Sequence, residues 1–198
     1  MKPALAHTFI ISSALIALLF SSACATKIKS TVQTNPPPSE AFSGFTAFEL
    51  KPATLAPAFA TQDPNKKALA KIQENISATM DPVLSGWNQA GAAKGGPART
   101  LVIEPVVTEI KFVGGAARFW AGPMAGSSAV IMNAKITEKE TGKVIASPEF
   151  YAKANAWGGS MTIGATDNMM LPNIAQRLTN YLMTNYATAI GGPSGAQQ

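Results

Sequence analysis

Cys24 is the only cysteine and His7 the only histidine in this chain of 198 residues, and both lie in or beside its apolar start. Everything downstream therefore lacks a thiol nucleophile, an imidazole acid–base group and the His/Cys ligands of ordinary zinc sites. Serine chemistry has no frame either, because the chain contains neither a G-x-S-x-G elbow nor an S-x-x-K pair. Carboxylates are what remain. Glu138 and Glu140 stand two apart, and Glu104 and Glu109 flank Pro105. A glycosidase-type pair needs two carboxyl groups facing each other across a site. The first pair reads instead as solvating a turn, and the second as pointing to opposite sides of a strand. The expectation is a protein that is not an enzyme, with no catalytic residue, metal or cofactor.

The Gly114–Gly126 segment has the glycine content of a phosphate-binding loop. It lacks the lysine before Ser127 that such a loop needs, and no G-x-G-x-x-G is present, so it reads as a loop entering a strand. Its residue types suit contact better. Trp120-x-Gly122-x-Met124 precedes one strand of a hairpin and Trp157-x-Gly159-x-Met161 follows the other. Antiparallel pairing would bring both to one end of the sheet. Arg118, Trp120, Met124, Trp157 and Met161 are therefore the candidate partner-binding residues, a mixture that binding hot spots favour. The competing reading is that they close the open end of the core.

Cys24 follows a three-part export signal: Lys2, an apolar run from Phe9 to Phe20 interrupted by Ser12 and Ser13, then Ser21, Ser22 and Ala23. A spanning helix over residues 3–25 competes with this, but its strongly apolar part is short and small residues, not cations, close it. Ser22-Ala23-Cys24 fits a lipobox, with Ser21 where Leu is usual, giving a lipoprotein signal over 1–23 and acylated Cys24. Cleavage before Thr26 at Ala23-Cys24-Ala25 is the other reading, and it discards the cysteine. A lone thiol in an exported chain favours acylation. One acyl chain, such as a palmitate, binds a membrane only marginally, whereas several anchor it. Ala25 stands where Asp would be the usual signal for inner-membrane retention, so the resemblance to sorted lipoproteins implies the outer membrane, facing the periplasm.

Residues 24–41, with Pro36-Pro37-Pro38, read as a tether reaching up to roughly 50 Å in polyproline conformation. Residues 191–198 read as a disordered tail. One α/β domain is left over 42–190. A first strand alternates Phe45 and Ala47 against Thr46 and Phe48, ending at Pro52. Asp63 would cap a helix with Pro64 at its first position, and Leu69, Ile72, Ile76, Met80 and Val83 form its apolar face. Pro82 is expected to kink it or start a second helix capped by Asp81. Leu101 to Phe112 is β-rich, bulged or at an edge near Pro105. Val130, Met132, Ala134 and Ile136 face inward, then a turn runs from Glu138 to Gly142. Val144, Ala146, Phe150, Ala152, Ala154 and Ala156 should face inward in turn. Ile174, Leu178, Tyr181, Leu182 and Tyr186 form a helical stripe between Pro172 and Gly191. The fold class is α+β: a mixed, mostly antiparallel sheet with two helices on one face.

Gly115-Ala-Ala-Arg118 with Gly122 and Gly126, the alternating strand, Thr141-Gly142-Lys143-Val144-Ile145 and the closing helix together resemble a family of uncharacterised bacterial lipoproteins, domain of unknown function 4410. The resemblance covers roughly Leu101 to Tyr186. It departs at Glu140, where Asp is frequent, and at Trp120 and Pro123 in the glycine-rich loop. It implies a fold similar to that of periplasmic assembly lipoproteins, including an outer-membrane activator of a cell-wall synthase, and it carries no activity.

Net charge is +5, falling to +4 when Lys2 leaves with the leader, and the three arginines form no basic stripe with aromatics, so nucleic acid is not a partner. Lys66, Lys67 and Lys71 could touch anionic headgroups or simply solvate a helix. The expected function is a membrane-anchored, non-catalytic module for protein binding or envelope assembly. Its partners are the membrane, through the N-terminal lipid, and another envelope protein. The alternatives are a soluble exported protein for a small apolar ligand, or a carboxylate-dependent envelope enzyme using Glu138 or Glu140.

Overall fold

The computed structural model describes residues 28–113, 127–154 and 165–196. In chain order the elements are β1 (Thr34–Asn35), β2 (Ala47–Leu50), β3 (Thr54–Leu55), α1 (Asp63–Lys94), β4 (Thr100–Lys111), β5 (Ala129–Glu138), β6 (Val144–Ala146), β7 (Glu149–Lys153), α2 (Ala165–Ala187) and β8 (Gly192–Pro193). Single 3-10 turns occupy Phe42–Gly44 and Pro57–Phe59. β2 and β3 both pair parallel to β4, and α1 is the crossover that a parallel connection requires. β4, β5 and then β6 and β7 pair antiparallel. The sheet is mixed and mostly antiparallel, and both helices cover one face of it, as the alternation predicts.

The core shows why. Leu101, Ile103 and Val107 of β4, Val130, Met132, Ala134 and Ile136 of β5, and Phe150 and Ala152 of β7 are buried together. Ile72, Ile76 and Met80 of α1 and Ile174, Leu178 and Leu182 of α2 pack into the same cluster. Burying each such side chain is worth about 1.5–3 kcal/mol. The helices run side by side in the same direction: the Thr79 and Thr179 hydroxyls lie 2.8 Å apart, and Trp87 stacks on Tyr186 at 4.2 Å between ring centroids.

Several local expectations are corrected. The helix cap is Gln62 and not Asp63, which lies in the first turn beside Pro64. α1 then runs unbroken for 32 residues through Pro82. Interior proline costs about 3 kcal/mol, but the apolar stripe continues on both sides of it from Ile72 to Leu84, and its burial outweighs that cost. α2 likewise starts ahead of Pro172 and contains it. In β2 the buried residue is Phe48, because Phe45 enters the core from the preceding 3-10 turn and the alternation does not carry across Thr46. In β6 the ladder register shifts, so Ile145 is buried while Val144 is half exposed. Pro105 falls in the gap between the stretches of β4 paired by β2 and by β3, a local edge that tolerates its missing N–H. The bulge of β4 lies further on, between Val107 and Glu109.

The expected tether and tail are ordered parts of the fold. β1 pairs with β8, and Asn35 is buried. The Asn35 side chain donates to the Glu149 carbonyl and accepts its N–H, both at 2.8 Å. Ser39 N–H donates to the Ile145 carbonyl, and the Tyr151 N–H to the Ser194 carbonyl. Tyr181 reaches the Pro36 carbonyl through its hydroxyl. The two termini thus satisfy the open backbone edge of β6 and β7, the edge that would otherwise template another chain. Periodicity does not see this, because the segment's bonds are made to backbone 100 or more residues away.

Candidate functional site

The alternation of β5 and the strand lengths around it decide where the glycine-rich segments begin and end. Lys111 pairs with Ala129 and Ala129 with Lys153, so the end of β4, the start of β5 and the end of β7 are neighbours. Buried Ser128 ties them: its hydroxyl accepts the Val113 N–H at 2.8 Å and its carbonyl accepts the Ala154 N–H at 2.9 Å. The stems of both Trp/Met segments therefore meet at one end of the sheet. Arg118, Trp120, Met124, Trp157 and Met161 themselves lie outside the described residues, as does Cys24.

The chain's first described residue reaches the same end. Ile28 packs on Ala129, Ile131 and Tyr151, on the sheet face opposite the helices. Ser30 and Thr31 then donate to the Glu149 carboxylate. The unbroken apolar run Ala129-Val130-Ile131-Met132 is the sequence signal that both faces are buried here, and Ile28, isolated among Lys27, Lys29 and Ser30, covers the outer one.

The opposite end of the sheet holds Glu138 and Glu140, two of the four carboxylates that sequence singled out. Arg99 donates to Glu138 at 2.6 Å and to Glu40 at 2.9 Å, and its guanidinium lies 4.4 Å above the Phe45 ring. Lys143 adds a contact to Glu40 at 3.3 Å. The Thr141 hydroxyl, first, and Arg99 hold the Glu138 carboxyl below the usual range, and Arg99 does the same for Glu40. Glu140 accepts the Thr100 N–H at 2.8 Å, which lowers its pKa as well. A general acid needs a raised pKa and a free proton. These groups are fixed anions closing a turn, and Arg99 and Glu40, which sequence did not single out, are half of that lock.

Glu104 and Glu109 are corrected in direction. The bulge between Val107 and Glu109 flips the alternation, so both stand on the outer face, Glu104 opposite Lys135 and Glu109 opposite Ile131. Five residues of strand separate them by about 15 Å, beyond the reach of a hydrolytic carboxylate pair. Lys66 pairs with Asp63 and Lys71 with Glu74 on the exposed start of α1. Among the described residues no three His, Cys, Asp or Glu are placed to hold a metal ion, and no helix is long and apolar enough to cross a membrane.

A βαβ unit extended by an antiparallel hairpin, with both helices on one face and carboxylates used as structural ties, defines a small α+β domain. The chain belongs to the family described as domain of unknown function (DUF4410), whose pattern matches residues 41–157. That span begins upstream of the resemblance read from sequence and stops short of α2. None of the curated proteins matches the chain. Among solved structures it is similar to the PelC dodecamer from Paraburkholderia phytofirmans, at 15% identity and a TM-score of 0.39 over 80% of this chain and 97% of that one. A protein from Caulobacter crescentus described as a candidate lipoprotein is similar at 13% identity and a TM-score of 0.34, over 73% and 94%. A protein from Xanthomonas campestris of the DUF330 family is similar at 12% and 0.35, over 80% and 92%.

Proposed function

We propose that this chain is a lipid-anchored protein of the cell envelope, on the periplasmic side of the outer membrane, which acts by contact and not by catalysis. The observation that carries the reading is the position of Cys24 at the end of the apolar leader, four residues before Ile28, which packs on the sheet. Cleavage ahead of that cysteine would remove the export signal read from the sequence and leave every described element intact. An acyl-bearing N-terminus would then stand directly beside the sheet. The engagement of Glu138 and Glu140 by Arg99, Thr141 and Thr100 supports a non-catalytic role, because neither is poised to move a proton. Contact with another envelope protein is assigned to the two Trp/Met segments, whose stems Ser128 holds together.

Intact mass of the mature protein from detergent-solubilised membranes tests the anchor. The expected species begins at Cys24 and carries the mass of its acyl chains. An unmodified chain beginning at Thr26 in the soluble extract would overturn the reading. Site-specific photocrosslinking from Trp120 and Trp157 in intact cells tests the contact role, and it fails if neither position yields a discrete protein adduct.

A further inference from the structure

We propose that the groove between α1 and the outer edge of β2 binds an extended peptide segment that carries a cationic side chain. The edge supplies the first argument. Ala47 N–H donates to the Arg99 carbonyl at 3.1 Å and Lys51 N–H to the Ile103 carbonyl at 2.9 Å, so Ala47, Glu49 and Lys51 turn their backbone groups toward β4. Phe48 and Leu50, between them, turn theirs outward. The Asn88 carboxamide closes Phe48, accepting its N–H at 2.7 Å and donating to its carbonyl at 3.2 Å. Further along, Pro52 has no N–H, and the Ala53 N–H donates to the Gln73 side chain at 2.7 Å. Between Phe48 and Ala53, Leu50 is therefore the residue whose outward N–H and C=O have no partner among the described residues. Such a pair is a template for a further strand. Asn88 shows on the same edge that an amide group fits it.

The second argument is room. Leu50 and Leu84 line a groove of about 620 Å³, and Asp81, Ser85, Asn88 and Ala92 form the wall that α1 turns toward it. From Asp81 to Ala92 that wall runs about 16 Å along the helix. About five residues of extended chain have the same length. The third argument is charge. Asp81 is exposed and is the charged residue among those lining the groove, and no ion pair or hydrogen bond engages its carboxylate among the described residues. Glu49 of β2, by contrast, is held by Lys51 and Lys139. A free carboxylate beside an open main-chain pair selects a peptide with lysine or arginine over one with an acidic side chain. The site is independent of the anchoring of Cys24 and of the Trp/Met segments: β2 pairs with Thr100–Ile103, at the other end of the sheet from their stems.

Hydrogen exchange of the Leu50 amide in the full-length chain tests this. The probe is a mixture of blocked pentapeptides, random except for a central lysine, and a second mixture carries glutamate there. Main-chain bonding is indifferent to sequence, so each mixture acts as one ligand. The lysine mixture is expected to slow exchange at Leu50 at least about tenfold. The glutamate mixture should need a roughly two- to fivefold higher concentration for the same effect. Asp81→Asn should remove that preference, and Ser85→Trp, which fills the groove from an exposed position, should remove the protection. Exchange at Leu50 unchanged by either mixture at millimolar concentration overturns the site, whatever the variants do. Protection that survives in a folded Ser85→Trp chain overturns it too. Equal action of the two mixtures, or a preference that persists in Asp81→Asn, overturns the cationic class.

Discussion

The buried hydroxyl of Ser128 accepts the backbone N–H of Val113 at 2.8 Å, closing the end of the sheet from which both Trp/Met segments depart. Ser128→Ala removes the acceptor and leaves a buried donor unpaired, at a cost of about 1–3 kcal/mol. Thermal melting should fall by several degrees. An unchanged melting temperature would show that Ser128 does not hold the stems.

Asn35 is the corresponding tie for the N-terminal segment. Asn35→Ala breaks both 2.8 Å bonds to the Glu149 backbone. Opening of this edge should become easier by about 1–3 kcal/mol, so exchange of the Glu149 amide accelerates roughly ten- to a hundredfold while global melting shifts less. Unaltered exchange at Glu149 would return the segment to the status of a loose tether.

Pro82 is exposed inside α1 and removes one backbone donor. Pro82→Ala should raise stability, by at most about 3 kcal/mol, since no buried contact is lost. Chemical denaturation reads the gain directly. A loss would mean that the proline sets a helix geometry the core depends on.

Two glycines of the same helix should behave oppositely. A Cβ at Gly91 would lie 2.0 Å from the Thr46 carbonyl oxygen, whereas a Cβ at Gly86 meets nothing within 4 Å. Gly91→Ala is therefore expected to cost at least about 1–3 kcal/mol and Gly86→Ala to gain up to about 1 kcal/mol. Equal effects in paired melts would contradict the close approach of α1 to the start of β2.

Acid should loosen the turn end of the sheet. Glu40, Glu138 and Glu140 all have folded pKa values below the ordinary 4.5, so the folded state binds fewer protons than the unfolded one. Their contribution is complete above about pH 4.5 and is lost as pH falls through the lowered values. Arg99→Ala removes the shared partner of Glu40 and Glu138, so its melting deficit should be largest near neutral pH and shrink in acid. A deficit that grows below about pH 4.5 would reverse the sign of this linkage.

The inward faces of β5 and β7 and the stripe of α2 were legible because burial there follows a regular period: Val130, Met132, Ala134 and Ile136 at every second residue, Ile174, Leu178 and Leu182 at every fourth. The turn at Gly142, with φ +69, was legible from local chemistry. Legibility failed where the period breaks, at the β4 bulge that turned Glu109 to the face of Glu104 and at the β6 shift that exposed Val144. It failed again for Arg99 and Glu40, which meet across 59 residues.

Sequence alone determined the position of the single cysteine, the absence of thiol and imidazole chemistry downstream of it, and the order of the main strands and helices, because each depends on residue type or on neighbours within a turn or two. Tertiary structure decided that residues 30–40 strap the sheet edge, that Ser128 gathers the loop stems beside Ile28, and that the carboxylates serve as ties. Those outcomes hang on single hydrogen bonds and ion pairs between distant positions, and such bonds leave no period in the chain.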